Sequence, residues 1–141
     1  MPLTRLRMES ITAQLGKSRV VILGDVMLDE YLFGAVERIS PEAPVPIVEI
    51  QSDKLLLGGA ANVTANFRAL GNEPILIGTV GSDDAAERVK RLLSAHQVKS
   101  DFLVSDSTRQ TTIKTRIIAH NQQIVRADRE DRRDLDEDVE E

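Results

Sequence analysis

The sequence predicts an α/β fold with a parallel sheet, and three observations carry that expectation. Two short runs, Val20-Val21-Ile22-Leu23 and Ile75-Leu76-Ile77, are continuously apolar, the pattern of a strand covered on both faces. Helical periodicity follows Gly58-Gly59 and again follows Ser82-Asp83, each with a start signal in front of it. Strand, helix, strand, helix in that order is the pattern of right-handed βαβ units.

The elements follow in chain order. Thr4 to Leu15 reads as a surface helix closed by Gly16, with Leu6, Ile11 and Leu15 set among Arg5, Arg7 and Glu9. Arg19 to Leu23 is expected to be a buried strand at the centre of the sheet, ending at Gly24-Asp25. Asp29 to Gly34 is less regular. Ser40 to Pro46 holds three of the five prolines, so no helix runs through it. Val45 to Ile50 alternates weakly beside proline, which predicts an edge strand. The segment from about 30 to 52 is thus expected to form a small sheet apart from the main core.

In Leu57-Gly58-Gly59-Ala60-Ala61-Asn62-Val63, two glycines end a poorly regular segment and a helix begins at once. Its apolar face is read as Ala60, Val63, Thr64 (by its methyl), Phe67 and Leu70, with Gly71 as a left-handed C-cap. The strand Pro74 to Val80 ends at Gly81-Ser82. Ser82 or Asp83 caps the next helix, with Asp84 and Glu87 as a capping box. That helix is expected to bury Ala85, Val89, Leu92 and Leu93 and to fade at His96-Gln97. Phe102 to Val104 reads as a short strand. Thr111 to Ile118 alternates strictly: Thr111, Ile113, Thr115, Ile117 and Ala119 share one face, Thr112, Lys114, Arg116 and Ile118 the other. Asn121-Gln122 turns the chain, and Gln123 to Asp128 returns as a hairpin. Asp134 to Glu141 reads either as a disordered acidic tail or as the acid-rich first turn of a helix, with Leu135 and Val139 at i, i+4.

Composition narrows the function. Aromatic residues make up only 3%, which implies an aliphatic core and argues against base-stacking platforms for nucleic acid. The absence of cysteine excludes disulfides and thiolate metal sites; with His96 and His120 the only histidines, no structural zinc site is expected. No apolar run nears the ~20 residues of a membrane span, and the first residues lack the apolar centre of a signal peptide. A cytoplasmic protein with no membrane partner is expected. The net charge of −5 is concentrated at one end: Asp128 to Glu141 carries nine acidic and three basic residues. The nearly neutral remainder does not fit a nucleic-acid partner.

Three features are candidates for chemistry. Asp25 and Asp29 follow the first strand, where doubly wound sheets bind ligands. A carboxylate accepts several hydroxyl hydrogen bonds, which suits a sugar; turn residues satisfying local N–H groups are the plainer alternative, and the two weigh about evenly for Asp29. Gly58, Gly59 and Asn62 start a helix where a ligand can approach the backbone. Tight helix packing explains the glycines equally simply, and neither a G-x-G-x-x-G fingerprint nor a Walker A loop is present. Lys114 and Arg116, two residues apart on one strand face, could converge on a phosphate; a solvated strand face is the plainer reading. No Ser-His-Asp set and no metal-ligand cluster stands out.

Taken in order, Gly24-Asp25-Val26-Met27-Leu28-Asp29, Arg38-Ile39-Ser40-Pro41-Glu42-Ala43-Pro44-Val45-Pro46, Gly58-Gly59-Ala60-Ala61-Asn62-Val63 and Lys114-Thr115-Arg116 resemble the amino-terminal part of the ribokinase-like (PfkB) sugar kinases. The Ile39 to Pro46 run and the glycine–alanine–asparagine motif are similar to the heptose 7-phosphate branch. The resemblance covers about Val20 to Asp128. It implies the amino-terminal half of a doubly wound α/β domain with a small β-sheet lid, the lid being segments about 30–52 and 110–128. It implies a single, incomplete kinase domain over residues 1–141. In the family, Asp29 would bind sugar hydroxyls, Gly58, Gly59 and Asn62 would approach the sugar, and Lys114 and Arg116 would face the substrate phosphate. The implied activity is ATP-dependent phosphorylation of D-glycero-β-D-manno-heptose 7-phosphate at its anomeric hydroxyl, a step towards ADP-heptose for lipopolysaccharide. ATP and Mg²⁺ would serve the complete enzyme. Lids of this family also make homodimer contacts. Leu57 stands where the family has proline, and Ala86 where it has glycine. The family's catalytic aspartate and nucleotide pocket lie further along than these 141 residues reach. The chain alone is therefore expected to hold the sugar-binding half and no catalytic base. The alternative is a non-catalytic sugar-phosphate-binding or dimerisation module.

Overall fold

A computed structural model describes residues 4–14, 16–17, 19–136 and 139. The α/β class expected from the sequence is the class observed. Helix α1 (Arg5–Thr12) is capped by Thr4, whose hydroxyl accepts the Arg7 N–H, and it buries none of its residues, as a surface helix should. Then come β1 (Val21–Leu23), β2 (Val26–Ile39), β3 (Pro46–Gly58), α2 (Gly59–Ala69), β4 (Ile75–Gly81), α3 (Asp84–Ala95), β5 (Leu103–Asp106), β6 (Thr112–Ala119) and β7 (Gln122–Arg129).

The strands form two sheets. A three-stranded sheet has the order β1-β4-β5, and both of its pairings are parallel. A four-stranded sheet has the order β3-β2-β6-β7. Its β2/β3 and β6/β7 pairs are antiparallel, and β2 runs parallel to β6 from Met27↔Thr112 to Gly34↔Ala119. The two segments expected to form small sheet pieces therefore share one sheet. Asp29 to Gly34, read as irregular, is the middle of the 14-residue β2. Leu55 to Leu57, read as poorly regular, is the end of the 13-residue β3. Asp29-Glu30-Tyr31-Leu32-Phe33 and Leu55-Leu56-Leu57 do not alternate, so the period of two that marks a half-buried strand is missing from both.

The core joins the start of β2 to α2, β4 and α3 through Val26, Leu28, Leu57, Ala61, Leu76, Val80, Val89 and Leu93. Two expectations about burial need correction. Strand β1 is an edge, not a centre, and Val21 and Leu23 are 58% and 76% exposed. Its continuous apolar run asks for cover that the described residues do not supply. Helix α2 buries Ala61, Thr64 and Ala65, whereas Val63 and Leu70 are exposed. Small residues face the core because the helix lies close to β2 and β3, and the larger apolar ones are rotated outward.

The helix ends follow the sequence in part: α1 stops at Thr12 with Ala13 as its C-cap, short of the expected Gly16, whereas α2 ends where its glycine predicts. Gly71 has φ +86°, and the bonds from Gly71 N–H to the Arg68 carbonyl and from Asn72 N–H to the Phe67 carbonyl make a Schellman end. Gln97, at φ +57°, ends α3 in the same way. Asp83, rather than Ser82, caps α3 by accepting the Ala86 N–H at 2.9 Å. Glu87 bonds Lys90 instead of closing a capping box. The β6/β7 turn is His120-Asn121, with φ +50° and +61°, one residue earlier than expected; a two-residue loop of this kind suits the twist of the hairpin. The helical option for the acidic end falls largely on residues outside those described.

Candidate functional site

Two glycines shape the site. Gly59, at φ +53°, sits so close to β2 that a Cβ on it would lie 2.3 Å from the Asp25 carbonyl oxygen. That carbonyl accepts the Ala60 N–H at 2.9 Å, so the start of α2 is pinned to the loop before β2. A Cβ on Gly58 would lie 2.7 Å from Met27 Cγ and 2.9 Å from Asp29 Oδ2. Tight packing is thus a sufficient steric reason for both glycines, and its result is to set Asp29 beside the helix start.

Side-chain alternation does the rest. Met27, Asp29 and Tyr31 share one face of β2, and their parallel partners on β6 are Thr112, Lys114 and Arg116. Arg116 Nη1 donates to Asp29 Oδ1 at 2.6 Å and to the Lys114 carbonyl at 3.2 Å. Its guanidinium lies over the Tyr31 ring, 5.1 Å from the centroid. The hydrogen bond to Asp29 raises the Arg116 pKa further above its ordinary value, although burial works against this. Lys114 Nζ stands 3.6 Å from both Asp128 and Glu130.

Neither cation lies on a solvated face: the side chains of Arg116, Asp29 and Lys114 are each only about one-fifth exposed. Nor do the two converge. Arg116 turns to Asp29, and Lys114 turns to the carboxylates after β7. The structure therefore brings Asp29, Gly58 and Arg116 into contact, with Gly59 and Lys114 as neighbours. Asn62 stands apart: it is exposed on α2, and its side chain's one hydrogen bond among the described residues, at 3.5 Å, comes from Asn66. Tyr31 was not singled out from the sequence. Its only signal there was its place two residues beyond Asp29.

A cavity of about 590 Å³ opens beside this face, lined by Gly24, Asp25, Met27, Thr112, Lys114 and Arg109 among others. The segment from Glu130 to Leu135 forms another wall. It is fastened there by Arg133, which donates to the Thr108 carbonyl at 2.8 Å, and by Arg109, which donates to the Asp134 carbonyl at 3.0 Å. Arg109 also pairs at 2.7 Å with the buried Asp106. The hydrogen bonds from Arg133 hold the Asp131 carboxyl down to about 2. Among the described residues, no three His, Asp or Glu side chains gather as metal ligands. No described helix is long and apolar enough to cross a membrane.

Comparison with known proteins places the chain in a family. The profile described as pfkB family carbohydrate kinase matches residues 17–141. A protein of Bordetella bronchiseptica named D-beta-D-heptose 7-phosphate kinase is 48% identical over 115 residues, which is 82% of this chain and 36% of that protein. A Caulobacter protein named bifunctional protein HldE is 46% identical over 117 residues, 83% of this chain and 24% of its own length. The chain thus spans about a quarter of the Caulobacter relative and a little over a third of the Bordetella one. Among solved structures, a carbohydrate kinase from Agrobacterium tumefaciens superposes with a TM-score of 0.65 at 22% identity, covering 79% of this chain and 35% of that one. Arabidopsis thaliana ribokinase complexed with ribose and ATP gives 0.60 at 17% identity, covering 79% and 35%. At these identities the likeness concerns the fold.

Proposed function

The chain belongs to the pfkB family of carbohydrate kinases, and from that premise we propose that it supplies the sugar-binding side of a heptose 7-phosphate kinase. The single observation carrying this reading is the Asp29 carboxylate, set against Gly58 and held by Arg116 at 2.6 Å. A fixed carboxylate accepts sugar hydroxyls. Gly58 and Gly59 let the start of α2 pack beside that carboxylate, and Asn62, exposed further along the helix, would reach the ligand from there. Lys114 and Arg116, on the same face, supply positive charge for the 7-phosphate, Lys114 by leaving Asp128 and Glu130 and Arg116 through its remaining N–H groups while Nη1 stays on Asp29. The name of the Bordetella relative supports the choice of sugar.

The reaction would transfer a phosphoryl group from ATP to the anomeric hydroxyl. Such transfer depends on positioning and on neutralising charge, with a carboxylate taking the hydroxyl proton. ATP with Mg²⁺ supplies the phosphoryl group when bound. The residues of this chain bind and orient the sugar, and the nucleotide side is assigned to the greater share of the relatives' length. The 141-residue chain by itself is expected to show no turnover. An assay of ATP-dependent phosphorylation of D-glycero-β-D-manno-heptose 7-phosphate tests this, and turnover by the chain alone would overturn it. Calorimetric titration with the same sugar phosphate should show binding that Asp29→Ala abolishes. A folded chain that does not bind it would sink the sugar-site reading. A cytoplasmic location follows from this reading.

A second reading is favoured by exposed apolar side chains on the four-stranded sheet: Phe33, Ile50, Ile124 and Val125 are 37–48% exposed. In it, this sheet acts as a lid that joins two copies. Sedimentation equilibrium should then show a dimer that Val125→Asp converts to monomer, and a wild-type chain with no dimer removes the reading.

A further inference from the structure

We infer that Tyr31 is a positioning residue for the Asp29–Arg116 pair, an inference that rests on the sugar-binding reading of that pair. An arginine on a strand has many rotamers, and an ion pair near the surface does little to fix them. Here two further contacts do so. Tyr31 stands opposite Arg116 in the β2/β6 register, and its ring face carries the guanidinium at 5.1 Å, an attraction between cation and ring quadrupole. The Lys114 carbonyl takes a second hydrogen bond from Nη1 at 3.2 Å. Tyr31 is itself restrained, because Phe33 stacks beside it with centroids 6.3 Å apart and planes 14° from parallel.

The consequence falls on Asp29. Its Oδ1 is committed to Arg116 at 2.6 Å. Its Oδ2 points to Gly58, at the place where any Cβ would crowd it at 2.9 Å. One oxygen is anchored and the other is presented beside the glycine pair. Without the ring, Arg116 would be free to leave, and the carboxylate would lose its fixed orientation. Sequence reading alone gives Tyr31 no role, since tyrosine is an ordinary strand former.

Tyr31→Phe and Tyr31→Leu in the 141-residue chain test this, with two readouts. The first is the affinity for D-glycero-β-D-manno-heptose 7-phosphate by calorimetry. The second, independent of sugar, is the hydrogen exchange of the Arg116 Nε–H in ¹⁵N NMR spectra. Phenylalanine keeps the ring face and is expected to keep both within about twofold of wild type, whereas leucine is expected to weaken binding roughly tenfold and to speed the exchange. Because Tyr31 acts through Arg116, Tyr31→Leu combined with Arg116→Met should bind no more weakly than Arg116→Met alone. Additive losses, or unchanged Arg116 exchange in Tyr31→Leu, would overturn the inference. If the wild-type chain binds no heptose 7-phosphate, the sugar-site reading fails, and the exchange data still decide whether Tyr31 positions Arg116. If the leucine variant does not fold, Tyr31→Ile decides: isoleucine is a good strand former without a ring, so wild-type affinity with unchanged Arg116 exchange would overturn the inference.

Discussion

At Gly58 and Gly59 the same missing atom has two different consequences. A side chain at Gly59 would meet backbone, the Asp25 oxygen at 2.3 Å, in a left-handed conformation at φ +53°. Neither can yield without moving the start of α2. Gly59→Ala is therefore expected to cost ~1–3 kcal/mol, read from urea unfolding. A side chain at Gly58 would meet the side chains of Met27 and Asp29, which can move. Gly58→Ala should cost less, about 1 kcal/mol, yet displace the Asp29 carboxylate and weaken sugar-phosphate binding in calorimetry. The reverse order of the two stability losses would contradict this account. Lys114 and Arg116 could be picked out from the sequence because alternation fixes which residues share a strand face, and Asp29 because it follows the first strand, where doubly wound sheets bind ligands. Their pairing could not, because Asp29 and Arg116 are 87 positions apart and nothing local encodes the meeting.

Between residue and molecule, the start of α3 and the start of β6 form one hydrogen-bonded unit. Asp83 caps α3 through Ala86 and also accepts from both the N–H and the hydroxyl of Thr111, at 2.9 and 2.7 Å. The Thr111 hydroxyl in turn accepts the Gly81 N–H at 2.9 Å, and Thr111 is 1% exposed. This ties the end of β4 to the four-stranded sheet. Burial pushes the Asp83 carboxyl up, but the hydrogen bonds from Thr111, Ala86 and Ala85 outweigh it and leave the pKa below its ordinary value. A carboxyl with a depressed folded pKa stabilises the fold above its unfolded pKa of about 3.9, and that contribution is lost as pH falls through the folded value. The acid limb of the chain's stability curve should accordingly flatten in Asp83→Asn, as followed by circular dichroism between pH 5 and 2. An identical acid limb in that variant would mean that Asp83 does not carry it. The cap was visible in sequence because N-caps are local. The link to Thr111 was not, and neither was the length of β2, whose parallel partner β6 begins some 85 residues later.

For the molecule as a whole, the decisive feature is an apolar strand that the described residues leave largely uncovered. Strand β1 is the edge of its sheet, with Val21 58% and Leu23 76% exposed, and Ile75 beside it on β4 is 37% exposed. An unpaired apolar edge is a template for pairing with another chain, and pairing at one edge leaves other edges open, so it need not stop at two copies. Sequence patterning identified β1 as a strand that requires burial. It could not say whether the burying partners are present, because the period of a strand records the environment it suits and not the one it has. The 141-residue chain is therefore expected to self-associate in sedimentation velocity, with a weight-average coefficient that rises with concentration and does not level off. Leu23→Lys places a charge on the edge and should remove that rise. A discrete dimer surviving in Leu23→Lys and broken by Val125→Asp would locate a separate, closed contact on the four-stranded sheet. Open-ended association unchanged by Leu23→Lys would show that β1 is not the surface responsible.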